Sequence, residues 1–183
     1  MRVAVCITGA SGSIYAKRLI DYLEDRVELS VVISDDAKKI FKDELSLDFL
    51  EFTRSKRLKL YENGDFYSPL ASGSHILDSC VVVPCSMKTL SAIAHGFAES
   101  LIYRCADVCI KERRKLVVVP RETPLSAIHL ENMLKLAQLG VVILPPTPAF
   151  YGKPKNISEI VDFVVGRILD SIGVENNLYK RWE

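Results

Sequence analysis

Arg121 and Glu122 follow an apolar run at residues 116–119 and a proline, Pro120. A cation and an acid placed where a buried strand stops can hold an anion or share a proton with one. Similar polar edges recur along the chain. Gly9-Ala10-Ser11-Gly12 follows the apolar run at 3–8; glycines let a ligand approach the backbone, and the free N–H groups of a helix start bind anions. Ser86-Met87-Lys88-Thr89 follows the run at 80–84, with two hydroxyls and a lysine suited to a terminal phosphate. Ser34-Asp35-Asp36 follows 28–33, and Pro145-Pro146-Thr147-Pro148-Ala149-Phe150-Tyr151 follows 141–144. Plain structural readings stand beside these: Ser86 and Ser34 also suit helix caps, and Asp35 and Asp36 suit a first turn. The glycine loop is not G-x-G-x-x-G and the Ser86 segment is not a Walker A loop, which argues against a dinucleotide fingerprint and an ATPase.

More cations lie on helical patterns. Arg104 and Lys111 are seven residues apart, on nearly one stripe and about 10 Å apart along a helix axis. On pattern alone, a solvated helix end with cations near its negative pole is the simpler explanation of that stripe. Arg167 flanks the apolar stripe Ile157, Ile160, Val161, Val164 and Ile168, so it must reach solvent or find an anion. His75, His95 and His129 show no ligand spacing.

These residues need a frame to bring them together. Five short apolar runs, 3–8, 28–33, 80–84, 116–119 and 141–144, read as parallel strands buried on both faces. Helices are expected at 12–24, 35–43, 87–97, 99–113, 125–138 and 157–172, with a short one near 48–55. The alternation predicts a three-layer α/β sheet with right-handed crossovers. Ligands in such sheets bind outside the carboxyl ends of the strands, where all five polar edges converge. Thr123 before Pro124 suits a helix cap with proline in the first turn, and Asn156 with Glu159 resembles a capping box. Residues 45–79 are the least regular.

The chain has 183 residues, the size of one domain. Its 24 basic and 23 acidic side chains leave a net charge of +1, which gives no support for nucleic acid or an anionic membrane as partner. Hydrophobic residues make up 49%, high enough to suggest apolar surface buried between subunits. Cys6, Cys80, Cys85, Cys105 and Cys109 form no C-x-x-C pair, so core packing is expected rather than a metal site. No apolar run approaches the roughly 20 residues of a membrane span, and 3–7 is too short for a signal core. A reducing cytoplasm is the expected location.

Five ordered blocks, "TGASGSIYAKRL", "PCSMKTLSAIAHG", "RCADVCIKERRKLVVVPRETPLSAIHLENM", "PPTPAFYGKP" and the terminal "RW", resemble the UbiX-like flavin prenyltransferases, formerly described as aromatic acid decarboxylases. The resemblance covers nearly the whole chain. It implies a Rossmann-like, flavodoxin-like parallel sheet, a single FMN-binding domain over residues 1–183, and a homo-oligomer, commonly a dodecamer. It also implies a metal-independent transferase that joins the dimethylallyl group of dimethylallyl monophosphate to N5 and C6 of reduced FMN. The product, prenylated FMN, serves a UbiD-type decarboxylase. By position, Gly9, Ala10, Ser11 and Ser34 should contact the flavin, Ser86, Met87, Lys88 and Thr89 should lie along it, and Arg121 matches a further flavin-binding position. Lys111, Glu122, Tyr151 and Arg167 match the group that holds the substrate phosphate. Glu44 matches an acid near the reacting flavin edge, and Trp182 an aromatic covering the prenyl chain. Phe66 is a departure, standing where family members often carry tryptophan; it keeps a π face that binds cations less well. Flavin-dependent cysteine decarboxylases share the superfamily but carry a catalytic His and a "PASANT"-type stretch, where this chain has "PCSMKT". A non-catalytic FMN-binding protein is a further alternative, favoured if the phosphate-site residues were lost.

Overall fold

A computed structural model describes residues 1–182, and in it the apolar runs form one six-stranded parallel sheet. The strands are β1 (Arg2–Ile7), β2 (Glu28–Ile33), β3 (Leu58–Glu62), β4 (Ser79–Cys85), β5 (Lys115–Pro120) and β6 (Val142–Ile143). The helices are α1 (Ser13–Leu23), α2 (Asp35–Leu45), α3 (Phe49–Thr53), α4 (Met87–Ala94), α5 (Leu101–Lys111), α6 (Ala127–Gln138) and α7 (Ile157–Ile172). Strand order is β3-β2-β1-β4-β5-β6, so the winding direction reverses between β1 and β4. A crevice opens at such a reversal, beyond the strand carboxyl ends.

Register decides what meets there. Ile7 pairs with Ile33, so Thr8-Gly9 and Ser34 leave the sheet side by side. Cys85 pairs with Pro120, which does the same for Ser86 and Arg121. Alternate residues of each strand face opposite layers. Val3, Val5 and Ile7 pack with Leu19, Leu23, Phe41 and Ile168 on one side. Ala4, Cys6, Cys80 and Val82 pack with Leu90, Ile102, Cys105 and Leu136 on the other. With both faces covered, the strands read as unbroken apolar runs.

All five cysteines are free and buried, as their expected core role requires. Cys80 Sγ lies 3.8 Å from Cys6 Sγ and 3.7 Å from Cys105 Sγ. Among the described residues, no helix is long and apolar enough to cross a membrane.

Four expectations need correction. The irregular stretch 45–79 contains an edge strand, β3, which pairs with β2 from Leu29↔Leu58 to Ile33↔Glu62. The strand expected at 141–144 shrinks to the two residues of β6. The cap of α6 is Ser126, not Thr123: Ser126 Oγ accepts from the His129 N–H at 3.2 Å, and the Ser126 N–H points back to His129 Nδ1 at 3.3 Å. That reciprocal pair satisfies two orphan helix-start donors, which Thr123 lies too far upstream to do. Ile157 is 70% exposed, because the buried stripe of α7 begins only at Val161. Asn156 does cap α7, its Oδ1 accepting from the Glu159 N–H at 3.0 Å, but the return half of the expected capping box falls one residue earlier, Glu159 Oε2 accepting from the Lys155 N–H at 2.8 Å.

Candidate active site

Two adjoining clefts open beyond the strand ends, with the glycine loop between them. One, about 420 Å³, is lined by Thr8, Gly9, Ser34, Asn63, Ser86, Lys88, Thr89 and Tyr103, among others. The other, about 640 Å³, is lined by Ser11, Gly12, Tyr15, Glu44, Arg121, Glu122 and the Pro145–Thr147 segment. Both are of a size that takes a cofactor or a small substrate.

Thr8 ties β1 to β4 at the crevice. Its hydroxyl donates to the Pro84 carbonyl at 2.8 Å and accepts from the Ser86 N–H at 2.8 Å. Gly9 is required by close approach, since a Cβ there would lie 2.9 Å from the Asp36 Cβ. Gly12 has φ +111°, a left-handed conformation that favours glycine. Ser34 and Ser86 cap α2 and α4, accepting from the Ala37 and Thr89 N–H groups at 3.2 and 3.3 Å. Their hydroxyls therefore already hold the helix starts that would face a ligand.

Glycine offers α1 no side-chain cap, and Glu44 supplies one from the end of α2. Its carboxylate accepts from the Ser13 N–H at 2.8 Å and from the Gly12 N–H at 3.1 Å. Partial burial works against its charge, but hydrogen bonds from the Ser11 side chain and the Ser13 and Gly12 backbone more than offset this. The net result holds its carboxyl below the usual range, in line with an acid at a positive helix end.

Arg121 extends the β4–β5 pairing by one bond, from its N–H to the Cys85 carbonyl at 3.1 Å. Glu122 accepts from the Thr123 N–H at 3.0 Å. Both side chains stay solvent-exposed in the larger cleft.

Beyond Thr147 the chain reaches a smaller cavity, about 190 Å³, whose lining includes Tyr151, Phe163 and Tyr179. Trp182 packs edge-on against Tyr151, ring centroids 5.2 Å apart. Arg167, 53% exposed, donates to the Tyr179 hydroxyl at 3.3 Å and lies 3.5 Å from Asp170. The arginine beside the apolar stripe has thus found both solvent and an anion.

Three further expected site residues stand apart from the clefts. Met87 packs against the core and Ala10 is buried. Lys111 ends α5 four residues before β5 begins and pairs with Glu112 beside Gly73. It therefore sits at the amino edge of the sheet, a strand length of about 17 Å from the crevice. That edge also holds a groove of about 840 Å³. The groove contains none of the strand-end residues, and its Glu28 is already matched to both Arg2 and Lys59; it is the poorer candidate.

Asn63 is a site residue that motif reading missed. Its carbonyl accepts from the Leu101 N–H at 2.8 Å and its side chain from the Ile102 N–H at 3.2 Å, which fixes the start of α5 beside the smaller strand-end cleft. The signal was the Asn63-Gly64 turn, readable only once β3 is seen to end there.

The chain matches the Flavoprotein family over residues 1–169. It is 59% identical over 182 residues to the flavin prenyltransferase UbiX of Methanocaldococcus jannaschii, covering 100% of this chain and 98% of the relative. The chain belongs to the UbiX flavin prenyltransferase family. Two solved UbiX-type structures share its fold along the whole chain. AnUbiX, crystallised with FMN and dimethylallyl pyrophosphate, is 42% identical with a TM-score of 0.96, covering 100% of this chain and 97% of that one. A dodecameric FMN-dependent UbiX-like decarboxylase from Escherichia coli O157:H7 gives the same identity and TM-score, covering 100% of both chains. The UbiX family name accounts for a transferase built on a doubly wound sheet.

Proposed function

We propose that this chain binds reduced FMN without covalent attachment and joins to its N5 and C6 the dimethylallyl group of dimethylallyl monophosphate, with no metal. The observation that carries the reading is the match along the entire chain, TM-score 0.96, to a structure holding FMN and dimethylallyl pyrophosphate together. The donor set is consistent with it: hydroxyls, Lys88 and the α4 N-terminus suit a flavin phosphate beside the glycine loop. In this reading the flavin supplies the nucleophilic atoms that take up the prenyl group.

The chain's own residues orient the donor and manage charge. Arg167 and Lys111 stabilise negative charge that builds on the leaving phosphate. Tyr151 and Trp182 present π faces to the cationic allyl group. Glu122 shares a proton with the phosphate, whose second pKa is about 6. Glu44 serves as the base for the proton lost from C6, released from the helix start it otherwise caps.

Lys111 ends α5, which covers one face of the sheet, and Arg167 lies on α7, which covers the other, so the two do not meet within one chain. A second copy must bring it, so we assign the complete site to a homo-oligomer. The dodecameric relative supports twelve subunits, and the exposed Ile128 and Leu134 on α6 support apolar contacts between them. The product then passes to a UbiD-type decarboxylase, in a cytoplasm that keeps the five thiols reduced. Anaerobic incubation with reduced FMN and dimethylallyl monophosphate, followed by mass analysis, tests the reading. A flavin heavier by one prenyl unit is expected; unchanged FMN and intact donor would overturn it.

A further inference from the structure

Four side-chain donors from the C-terminal segment converge on one carboxylate at the end of α7. Asp170 Oδ1 accepts from Asn176 Nδ2 and Arg181 Nη2, both at 2.8 Å. Oδ2 accepts from the Tyr179 hydroxyl at 2.6 Å and Arg181 Nη1 at 3.1 Å. Arg167 approaches the same Oδ2 from one turn back along the helix. Residues 174–182 are thereby strapped across α7. Gly166 makes room for the strap, because a side chain there would collide with the Tyr179 ring. Asn176 adds a bond to the Gly166 carbonyl at 3.2 Å.

From Tyr179 the contact continues through aromatic rings. Centroids lie 5.0 Å apart for Tyr179–Phe163, 6.1 Å for Phe163–Tyr151 and 5.2 Å for Tyr151–Trp182, all edge-on. Such pairs contribute beyond their burial and fix ring orientation. Asp170 thus reaches Trp182 by two routes, the strap backbone beyond Arg181 and the ring series.

We propose that Asp170 is a positioning residue for the donor side of the site, aiming Arg167 and seating Trp182 against Tyr151 before the donor arrives. The inference rests on the reading that Arg167 and Trp182 meet the donor. Two arginines on one carboxylate have a specific use here. When Arg167 turns to a phosphate, Arg181, Tyr179 and Asn176 still satisfy Asp170, so no carboxylate is left unpaired and the strap stays closed. A lone Asp170–Arg167 pair would compete with the phosphate for its only cation.

Trp182 is the only tryptophan, so its fluorescence reads the strap directly. Trp182 is already 78% exposed, so its mobility is the signal: ligand-free Asp170→Asn and Arg181→Ala should each lower the anisotropy of Trp182 emission, while Asp170→Glu restores part of it. In turnover, Asp170→Asn should raise the KM for dimethylallyl monophosphate about tenfold, the scale of a lost charge-assisted hydrogen bond, with flavin affinity unchanged. A purely structural role would lower the melting temperature yet leave the emission anisotropy of the folded variant and its donor KM as in wild type. That result overturns the proposal. If the wild-type chain transfers no prenyl group, the donor reading fails, and the ligand-free anisotropy still decides whether Asp170 seats Trp182.

Discussion

Around the glycine loop, contacts join strand ends to helix starts. Thr8 bridges β1 and β4, Ser34 and Ser86 cap the next helices, and Glu44 bonds two backbone N–H groups of α1. Around Arg167, contacts join side chains to one another and to a strap without regular secondary structure. The first region is held by backbone that folding must place anyway. The second depends on long side chains that lose rotamer freedom when they bond. Tyr151, Arg167 and Trp182 are 40%, 53% and 78% exposed, whereas Thr8, Gly9 and Ala10 are buried or half-buried. In the proposed assignment, the flavin side is preorganised in one chain and the donor side awaits a ligand and a second copy.

The largest break in this contrast should come from Arg167→Ala. Losing a charged partner of a desolvated phosphate costs about 2–5 kcal/mol, so kcat/KM for the donor should fall at least about thirtyfold while FMN affinity holds. A parallel loss of FMN binding would merge the two regions into one. Lys111→Ala should act in the same direction. Mixing the Lys111→Ala and Arg167→Ala proteins, with subunit exchange, should restore about one quarter of the wild-type sites, because random assembly pairs an intact Arg167 with an intact Lys111 that often. Absence of recovery on mixing would mean that one chain supplies both cations.

A smaller effect separates two tasks of Glu44. Glu44→Gln should lower stability by about 1 kcal/mol through the α1 helix start, seen in thermal unfolding. It should also slow closure of the new flavin ring more than release of phosphate. Quenched-flow assays that find both steps slowed equally would leave Glu44 as a loop anchor alone.

The smallest effect concerns acid. Burial opposes the Asp170 charge, but hydrogen bonds from Arg181, Tyr179 and Asn176 outweigh it and hold the carboxyl below its usual range. A depressed carboxylate stabilises the fold in full above the unfolded pKa of about 4 and loses that contribution as pH falls through the folded value. The anisotropy of Trp182 emission should therefore stay constant from neutral pH down to about 4 and fall only below it. A transition near pH 6 would point to another group.

The central strands were legible because both their faces are buried, which leaves nothing but apolar residues to read. The edge strand β3 was not. Lys59 and Glu62 break up its apolar run, and such charges on an edge protect it from pairing with other chains. The residues that converge on the crevice were readable from their place after each apolar run, since topology alone brings strand ends together. The distance of Lys111 from that crevice was not, because seven-residue spacing on a helix says nothing of which end faces the ligand. Asp170 escaped notice for a related reason: its partners, Asn176, Tyr179 and Arg181, lie in a segment with no period to read.

The buried cysteines give the protein an internal clock. A thiol reagent cannot reach Cys6, Cys80 or Cys105, each 0% exposed, unless the layers covering the sheet part. Labelling at saturating reagent would then count how often the core opens. Cys85 lies under the crevice, in the strand whose last carbonyl pairs with Arg121. Comparing its labelling rate with that of Cys109 would time the motion of the crevice floor against that of the α5 layer, without adding any probe to the chain.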